Sequence, residues 1–573
     1  MTRIVALLLL ISMSYTLHAN DLVVNQLGYH SDGAKAAYWI TAPNIITAPN
    51  IKVVSLISLD RDKKEIELPL GAVTSLPDNR SVTKIDFSMV NQTGWYVFQS
   101  QESQSVPFQI TSSPYQELSG RLVHALYLQR SGVVVNDPIT GMQRPKSHEK
   151  DGLVLRNDDF YNAGQSLDMT GGWYDAGDFG KYVATTTITV ARLLEAYQQA
   201  PDYFNAQPLD NKLVSVPLNN KQLPSILAEA TFGLEWLEKM QREDGAVYRK
   251  VSGKEWPAKI APWQDTQERY VYGISTPETA KFAATMAFAS RVLKPHKPED
   301  SRRYLKAAQL AWHYLEQNPE QYIDWQEDDD SGSGPYIKND EDKEKSLETD
   351  ADDRLWALAE LYLATSKDNY LDQFFSLYDA TLIDIFEWKN PMAMGAWHLI
   401  LALEGEQRER LVKDLKSVAD KYVDQSQQSP FGVANQRFIW GSNKMTAEAG
   451  ILVAWSDFAQ GKSSNHSTVQ AQINYLLGAN AFNLSFVTQA GTYSVRNLHH
   501  LYRIATGVSL PGYLVGGPNE KAQAGIAPKN MGMLSYIDSE KSYAVNEFAI
   551  DYNASLIGLL AVNHAYFRKK QPE

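Results

Sequence analysis

The sequence predicts a mostly helical protein in which a double ring of helices follows a small β-sandwich. Two observations carry this. Residues 21–110 hold short runs that alternate or are β-branched, divided by turn residues at sandwich-like intervals. Beyond the hinge-like Thr111-Ser112-Ser113-Pro114-Tyr115, apolar residues recur at helical spacing in about a dozen long segments, joined by loops rich in Gly, Asp and Pro.

In chain order, Met1-Thr2-Arg3, the mostly apolar Ile4 to Met13 and the small residue ending Leu17-His18-Ala19 read as a signal peptide over 1–19. Export to the periplasm or the exterior is expected. The apolar run is shorter than the ~20 residues of a membrane span. No later stretch reaches that length without charge, so the mature chain is expected to have no membrane span. The sandwich is placed at 20–112, with strands at Leu22–Val24, Ala36–Ile40, Ile51–Leu56, Lys84–Phe87, Gly94–Phe98 and Val106–Ile110. The helical domain is placed at 113–573. Its helices are expected at Tyr115–Gln129, Tyr182–Gln199, Pro224–Met240, Thr276–Leu293, Arg302–Glu316, Glu348–Ala364, Tyr370–Ile385, Met392–Leu403, Glu409–Gln425, Thr446–Phe458, Ser467–Leu477 and Asn546–Phe567.

At 573 residues and 44% hydrophobic, the chain can bury a large core. A net charge of −13 argues against nucleic acid and anionic membranes, which need clustered basic residues. The 13 Trp and 30 Tyr suit carbohydrate binding and a large core alike. With no Cys there is neither a disulfide nor a thiolate metal site. The acidic segment Trp325–Pro335 and the run Asn339–Asp353 read as solvated loops; calcium is the functional alternative. Their spacing lacks the order of an EF-hand loop, so no metal and no cofactor is assigned.

The chemistry centres on Gly171-Gly172-Trp173-Tyr174-Asp175-Ala176-Gly177-Asp178-Phe179-Gly180-Lys181-Tyr182. Glycine permits close backbone approach to a ligand, and the helix start after Tyr182 favours ionised Asp175 and Asp178. The plain alternative makes Asp178 a helix N-cap and Asp175 a turn residue. Trp173 and Tyr174 are candidate stacking surfaces for sugar rings. A second carboxyl candidate is Glu547, at the start of an apolar helix and flanked by Val545, Phe548 and Ile550. Desolvation there, with Asp551 one turn on, would raise its pKa as a general acid requires. The alternative is a first-turn Glu facing the helix dipole.

The stretch 171–182 resembles the catalytic-base motif of glycoside hydrolase family 9, the inverting cellulase family. The block Tyr536-x-Asp538-x4-Tyr543-x3-Glu547-x-Ala549-x3-Asn553-Ala554 is similar to that family's second signature. Gly512-Tyr513-Leu514-Val515-Gly516-Gly517-Pro518-Asn519 adds a third match. Val24-Asn25-Gln26-Leu27-Gly28-Tyr29 resembles the start of the immunoglobulin-like domain carried by one branch of the family. The resemblance implies an (α/α)6 barrel behind an immunoglobulin-like module. It implies Asp178 as base, Asp175 as holder of the attacking water and Glu547 as proton donor, with roughly 6.5–9.5 Å between base and acid carboxyls. Asp538 and His499 complete the candidate catalytic set, and His500, Arg503 and Tyr543 join Trp173 and Tyr174 as candidate substrate contacts.

The pattern departs from the family at Leu498-His499-His500-Leu501-Tyr502-Arg503, where Leu501 stands at the usual Arg position, and at Tyr493. A Cys-His segment carried by many relatives is replaced by His148-Glu149-Lys150-Asp151-Gly152. The expected partner is an oligo- or polysaccharide, foremost a β-1,4-glucan. An exo-acting β-glucosaminidase on chitosan oligomers and a non-catalytic glycan-binding protein are the alternatives.

Overall fold

The computed structural model describes residues 20–43, 53–60, 63–100, 103–205, 223–326, 329 and 349–568. The expected signal peptide lies outside the described residues, as does the acidic stretch 327–348 apart from Asp329.

Nine strands among the described residues build the N-terminal sandwich: β1 (Asn20–Val23), β2 (Tyr29–His30), β3 (Ala36–Thr41), β4 (Val53–Ser58), β5 (Glu65–Pro69), β6 (Val73–Ser75), β7 (Ser81–Asp86), β8 (Gly94–Gln99) and β9 (Phe108–Thr111). One sheet runs β1-β3-β7-β6 and the other β2-β9-β8-β4-β5. Between them Trp39, Leu56, Ile85, Phe87, Phe98 and Phe108 form the core. Tyr29 meets Phe87 and Phe108 edge-on at 4.9 and 5.4 Å. The sequence pattern does not reveal β2, β5 and β6, which are two to five residues long. β5 shows why: it lies at a sheet edge with Glu65 and Glu67 exposed, so it carries no apolar run.

Twelve helices of ten residues or more follow among the described residues. They are α1 (Gln116–Leu128), α2 (Val183–Gln199), α3 (Ser225–Lys239), α4 (Thr276–Leu293), α5 (Pro298–Gln317), α6 (Ala351–Thr365), α7 (Asp368–Leu377), α8 (Met392–Ala402), α9 (Gly405–Gln428), α10 (Ser442–Ala459), α11 (His466–Leu476) and α12 (Ile550–Arg568). The even-numbered helices pack each on the next, and α12 returns to α2, closing an inner ring. The odd-numbered helices lie outside it: α3, α5, α7, α9 and α11 each pack on at least one even-numbered neighbour in sequence, and α1 packs on α12. This is the (α/α)6 barrel.

Residue pattern separates the rings. In the outer α9 only Leu411, Leu415, Ala419, Tyr422 and Ser426 are buried, one stripe at helical spacing. The inner α10 buries every residue except Phe458, with small Ala447, Ala449, Gly450 and Ala454 admitting neighbours on all sides. Two buried ion pairs join inner helices, each charge offset by its partner. Arg192 of α2 meets Glu448 of α10 at 2.5 Å, and Lys281 of α4 meets Asp353 of α6 at 2.7 Å.

One expected helix is too long. The segment Tyr370–Ile385 stops as α7 at Leu377, because Tyr378 turns extended and the Asp379 carboxylate accepts from Thr381 N–H, starting a short 3-10 turn.

The sandwich is docked on the barrel by polar contacts. Asn25 Nδ2 donates to Tyr115 Oη at 3.0 Å and to Asn474 Oδ1 at 3.1 Å. Tyr38 Oη donates to the Phe431 carbonyl, and the His30 ring stacks on Phe567 at 3.6 Å. Asn25→Ala strips hydrogen bonds from this buried junction. The expected loss is ~1–3 kcal/mol of stability, read as an earlier denaturation midpoint with turnover number unchanged.

Candidate active site

The segment 171–180 is a loop that crosses the mouth of the barrel, and it is held from below. Asp151 is buried and accepts from Arg269 Nε at 2.6 Å, with Lys181 Nζ 2.7 Å from its other oxygen. Both cations then bind the loop backbone. Lys181 donates to the carbonyls of Met169 and Gly171, each at 2.8 Å, and Arg269 to that of Phe179 at 2.7 Å. A second brace comes from α1, whose successor Gln129 donates to the Tyr174 and Ala176 carbonyls.

Glycine is required at two loop positions. Gly172 has φ +70°, and a side chain there would strike Trp236. A Cβ on Gly177 would lie 2.7 Å from the His499 carbonyl and 2.9 Å from Glu547 Oε1. This close approach lets Gly177 N–H donate to Glu547 Oε1 at 3.1 Å, so the distant carboxyl is bonded to the residue preceding Asp178.

Glu547 does not start a helix. Its backbone is extended (φ −87°, ψ 146°) between a four-residue helical turn, Tyr543–Asn546, and α12, and it bridges His499 on one side while Phe548 bridges Val515 on the other. Its proton is retained well above the ordinary carboxyl range, first by burial and then by the charges of Asp178 and Asp175, rather than by Asp551. Asp551 acts instead on Asp175, whose affinity for a proton burial and Asp551 both raise strongly. The Thr185 hydroxyl donates to Asp175. Asp178 is not a helix cap: α2 begins at Val183, and the Asp178 carboxylate accepts from Gly180 N–H at 3.3 Å. The expectation that a helix start lowers both pKa values is therefore corrected. Burial raises that of Asp178, while the Gly180 N–H, Arg269 and Lys250 oppose the shift.

His499 donates from Nδ1 to the Glu540 carbonyl at 2.6 Å, which leaves Nε2 an acceptor. Burial lowers its pKa, aided by the nearby Lys259 charge. Tyr543 is 39% exposed, and its ring lies 6.0 Å from that of His499 and 5.6 Å from that of Trp440. Trp440 was not singled out from sequence; its place just ahead of α10 in Phe438-Ile439-Trp440-Gly441 is the available signal.

Three expected substrate contacts, Trp173, Tyr174 and His500, are buried instead. Trp173 is 0% exposed and donates to Glu229 at 2.7 Å, so it has no face for a sugar. Tyr174 is buried with its hydroxyl bonded to Ser147 at 2.7 Å and His148 at 2.6 Å. His500, 4% exposed, donates to Gln129 Oε1 at 2.9 Å; burial lowers its pKa to about 3, so it is neutral and positions the loop through Gln129. Asp538 accepts from the Arg496 and Asn497 N–H groups and from Asn546 Nδ2, which braces the segments bearing His499 and Glu547. The Arg503 guanidinium is engaged by Glu540 and the carbonyls of Leu498 and Arg496. Leu501 is buried against Tyr174 and Phe179, with Ile260 packed on them. Among the described residues, no group of three or more His, Asp or Glu side chains is arranged to hold a metal ion.

The profile of Glycosyl hydrolase family 9 matches residues 115–560, and that of a cellulase N-terminal ig-like domain matches residues 18–105. The xyloglucan-specific endo-beta-1,4-glucanase of Bacteroides ovatus is 30% identical over 571 residues, spanning 94% of this chain and 93% of that protein. Endoglucanase D of Acetivibrio thermocellus is 30% identical over 514 residues, spanning 86% and 77%. The crystal structure of a metagenome-derived glycoside hydrolase family 9 endoglucanase superposes with a TM-score of 0.86 at 36% identity, over 95% of this chain and 99% of that one. AaCel9A in complex with cellobiose-like isofagomine gives 0.80 at 25% identity, over 94% and 99%. With both domains matched and carboxyl groups from two distant segments brought to one barrel mouth, the chain is an O-glycosyl hydrolase and a member of glycosyl hydrolase family 9.

Proposed function

We propose that this enzyme hydrolyses β-1,4 linkages in glucans by a single displacement at the anomeric carbon. Asp178 takes a proton from water, Asp175 orients that water, and Glu547 protonates the departing glycosidic oxygen. The observation that supports this most is the Gly177 N–H bond to Glu547, which ties the acid to the backbone beside the base. The opposed environments fit the two roles: the Gly180 N–H and two cations favour the charged form of Asp178, whereas neighbouring carboxylates keep Glu547 protonated.

The substrate class rests on the relatives, which include a xyloglucan-specific endo-beta-1,4-glucanase and an endoglucanase. The glucosaminidase alternative draws no support from the relatives named above. Two buried aspartates and a protonated Glu547 in one cleft disfavour a purely glycan-binding role. His499 Nε2 is assigned as an acceptor for a sugar hydroxyl, and Tyr543 with Trp440 as a stacking surface. The Met1–Ala19 segment supports export before action on a polysaccharide. Among the described residues, no helix is long and apolar enough to cross a membrane.

Three outcomes test the mechanism. Glu547→Gln is expected to lower kcat on cello-oligosaccharides by about 10²–10⁴-fold while sparing activity on 2,4-dinitrophenyl cellobioside, whose leaving group needs no proton. Proton NMR of the first products should show the α-anomer; the β-anomer would rule out a single displacement. Activity requires Asp178 deprotonated and Glu547 protonated. With both pKa values raised, the acidic limb of the pH profile should lie above the ~4 of an ordinary carboxyl, the alkaline limb should lie higher still, and Glu547→Gln should abolish the latter.

A further inference from the structure

The turn His148-Glu149-Lys150-Asp151 is engaged at both ends with the loop that carries Asp175 and Asp178. The Asp151 N–H donates to the His148 carbonyl at 3.4 Å, which closes the turn. At its far end Asp151 meets Lys181, the residue that ends the loop, together with Arg269. At its near end the His148 ring meets Tyr174, at the front of the loop. Both aspartates lie between Tyr174 and Lys181, so a separate four-residue segment spans the stretch that bears them.

Chemistry fixes the direction of the bonds at His148. Asp265 belongs to the segment between the strands Lys250–Gly253 and Arg269–Val271, and its Oδ2 lies 3.3 Å from His148 Nε2. Burial opposes a charge on Asp265, but the bond and field of His148 help to outweigh it and hold the carboxyl below its ordinary range. An ionised carboxylate only accepts, so the imidazole proton sits on Nε2 and Nδ1 keeps its lone pair. The Tyr174 hydroxyl, 2.6 Å away, donates to Nδ1, and Ser147 Oγ donates in turn to Tyr174 Oη at 2.7 Å. Burial and the Arg269 charge lower the His148 pKa to about 4, which leaves the ring neutral above that pH.

The ring is seated as firmly as its bonds. It meets Tyr174 edge-on at 5.4 Å and lies tilted on Phe179 at 5.5 Å. His148 has φ +56°, a left-handed backbone that is uncommon outside glycine and persists where surrounding contacts over-determine it. From Tyr174 the path to the carboxyls is short. The next residue, Asp175, donates its N–H to the Gly180 carbonyl at 2.9 Å and accepts the Ile550 N–H at 2.8 Å. A displacement of Tyr174 therefore moves Asp175 directly and reaches Asp178 through the bond that closes 175–180.

We infer that His148 is a positioning residue for the proposed base: by seating the Tyr174 hydroxyl against a turn already anchored through Asp151, it sets where Asp175 and Asp178 stand relative to Glu547. The inference rests on the proposed single displacement and adds no group that touches substrate.

The test reads kcat and KM on cellohexaose and on 2,4-dinitrophenyl cellobioside, well below the denaturation midpoint of each variant. Tyr174→Phe removes the hydroxyl and keeps the ring. It is expected to lower kcat about tenfold on both substrates with KM within about twofold, because a misplacement of ~1 Å can cost up to about 10²-fold and attack by water needs the base whatever the leaving group. His148→Ala should match it. His148→Asn tolerates the left-handed backbone and puts an amide oxygen at the place of Nδ1, so it should restore most of the lost turnover. Asn25→Ala, destabilised away from the cleft, is the reference for a loss of stability alone. Unchanged kcat in Tyr174→Phe or His148→Ala, no recovery in His148→Asn, or a loss of kcat in Asn25→Ala equal to theirs would overturn the role of His148. An unmodified enzyme that cleaves neither substrate would instead defeat the proposed hydrolysis.

Discussion

The structure depends on one buried carboxylate with two cations. Asp151 is enclosed with Lys181 and Arg269, and each cation spends its remaining donors on carbonyls of the catalytic loop. Removing a single member would leave an uncompensated charge in the interior, typically a cost of 3–5 kcal/mol. The cluster therefore works as a rigid mount, not as a source of net stability. Its rigidity makes the close fit at Gly177 tolerable: the loop must meet Glu547, His499 and His500 at once, and a loop free to drift would lose all three.

Electrostatics at the cleft follows from the same crowding. Asp175, Asp178 and Glu547 lie close together and buried; Asp178 raises the proton affinity of both Asp175 and Glu547, and Asp175 adds to that of Glu547. Roles separate because local donors differ. Asp178 has a backbone N–H together with the fields of Arg269 and Lys250, and Asp175 has a hydroxyl from Thr185. Lys444, held between Asp551 and Glu387, counters part of the negative charge beneath Asp175. Proton affinities here belong to a coupled set, and a change at one carboxyl is felt at the others.

Much of this architecture was legible in the residues. Long amphipathic segments gave the helices to within a few positions, the early end of α7 apart, because buried stripes on outer helices such as α9 repeat at a period that sequence displays directly. Asp175 and Asp178 stood out through the glycine and aromatic residues around them, and Glu547 through its apolar flanks and its resemblance to the family's second signature. What escaped were properties of the assembled surface. Trp173 and Trp440 look alike as letters, yet one is sealed beneath the loop by Glu229 and the other faces Tyr543. His500 is buried on Gln129, whereas its neighbour His499 is bonded to the Glu540 carbonyl. Asp538 carries a signature position, but its oxygens are consumed by backbone donors that sequence does not bring near it. Exposure and partner choice arise from tertiary packing, which local pattern does not encode.

The closure of the inner ring has a consequence for biogenesis. Asp178 lies near the front of the helical domain and Glu547 just before α12, the last described helix, which docks between α10 and α2. A chain synthesised only as far as α11 lacks the stave that closes the inner ring. A chain that stops short of Glu547 and α12 cannot bring together the two carboxyls proposed for catalysis, so competence on that reading arrives as a single event rather than growing with length.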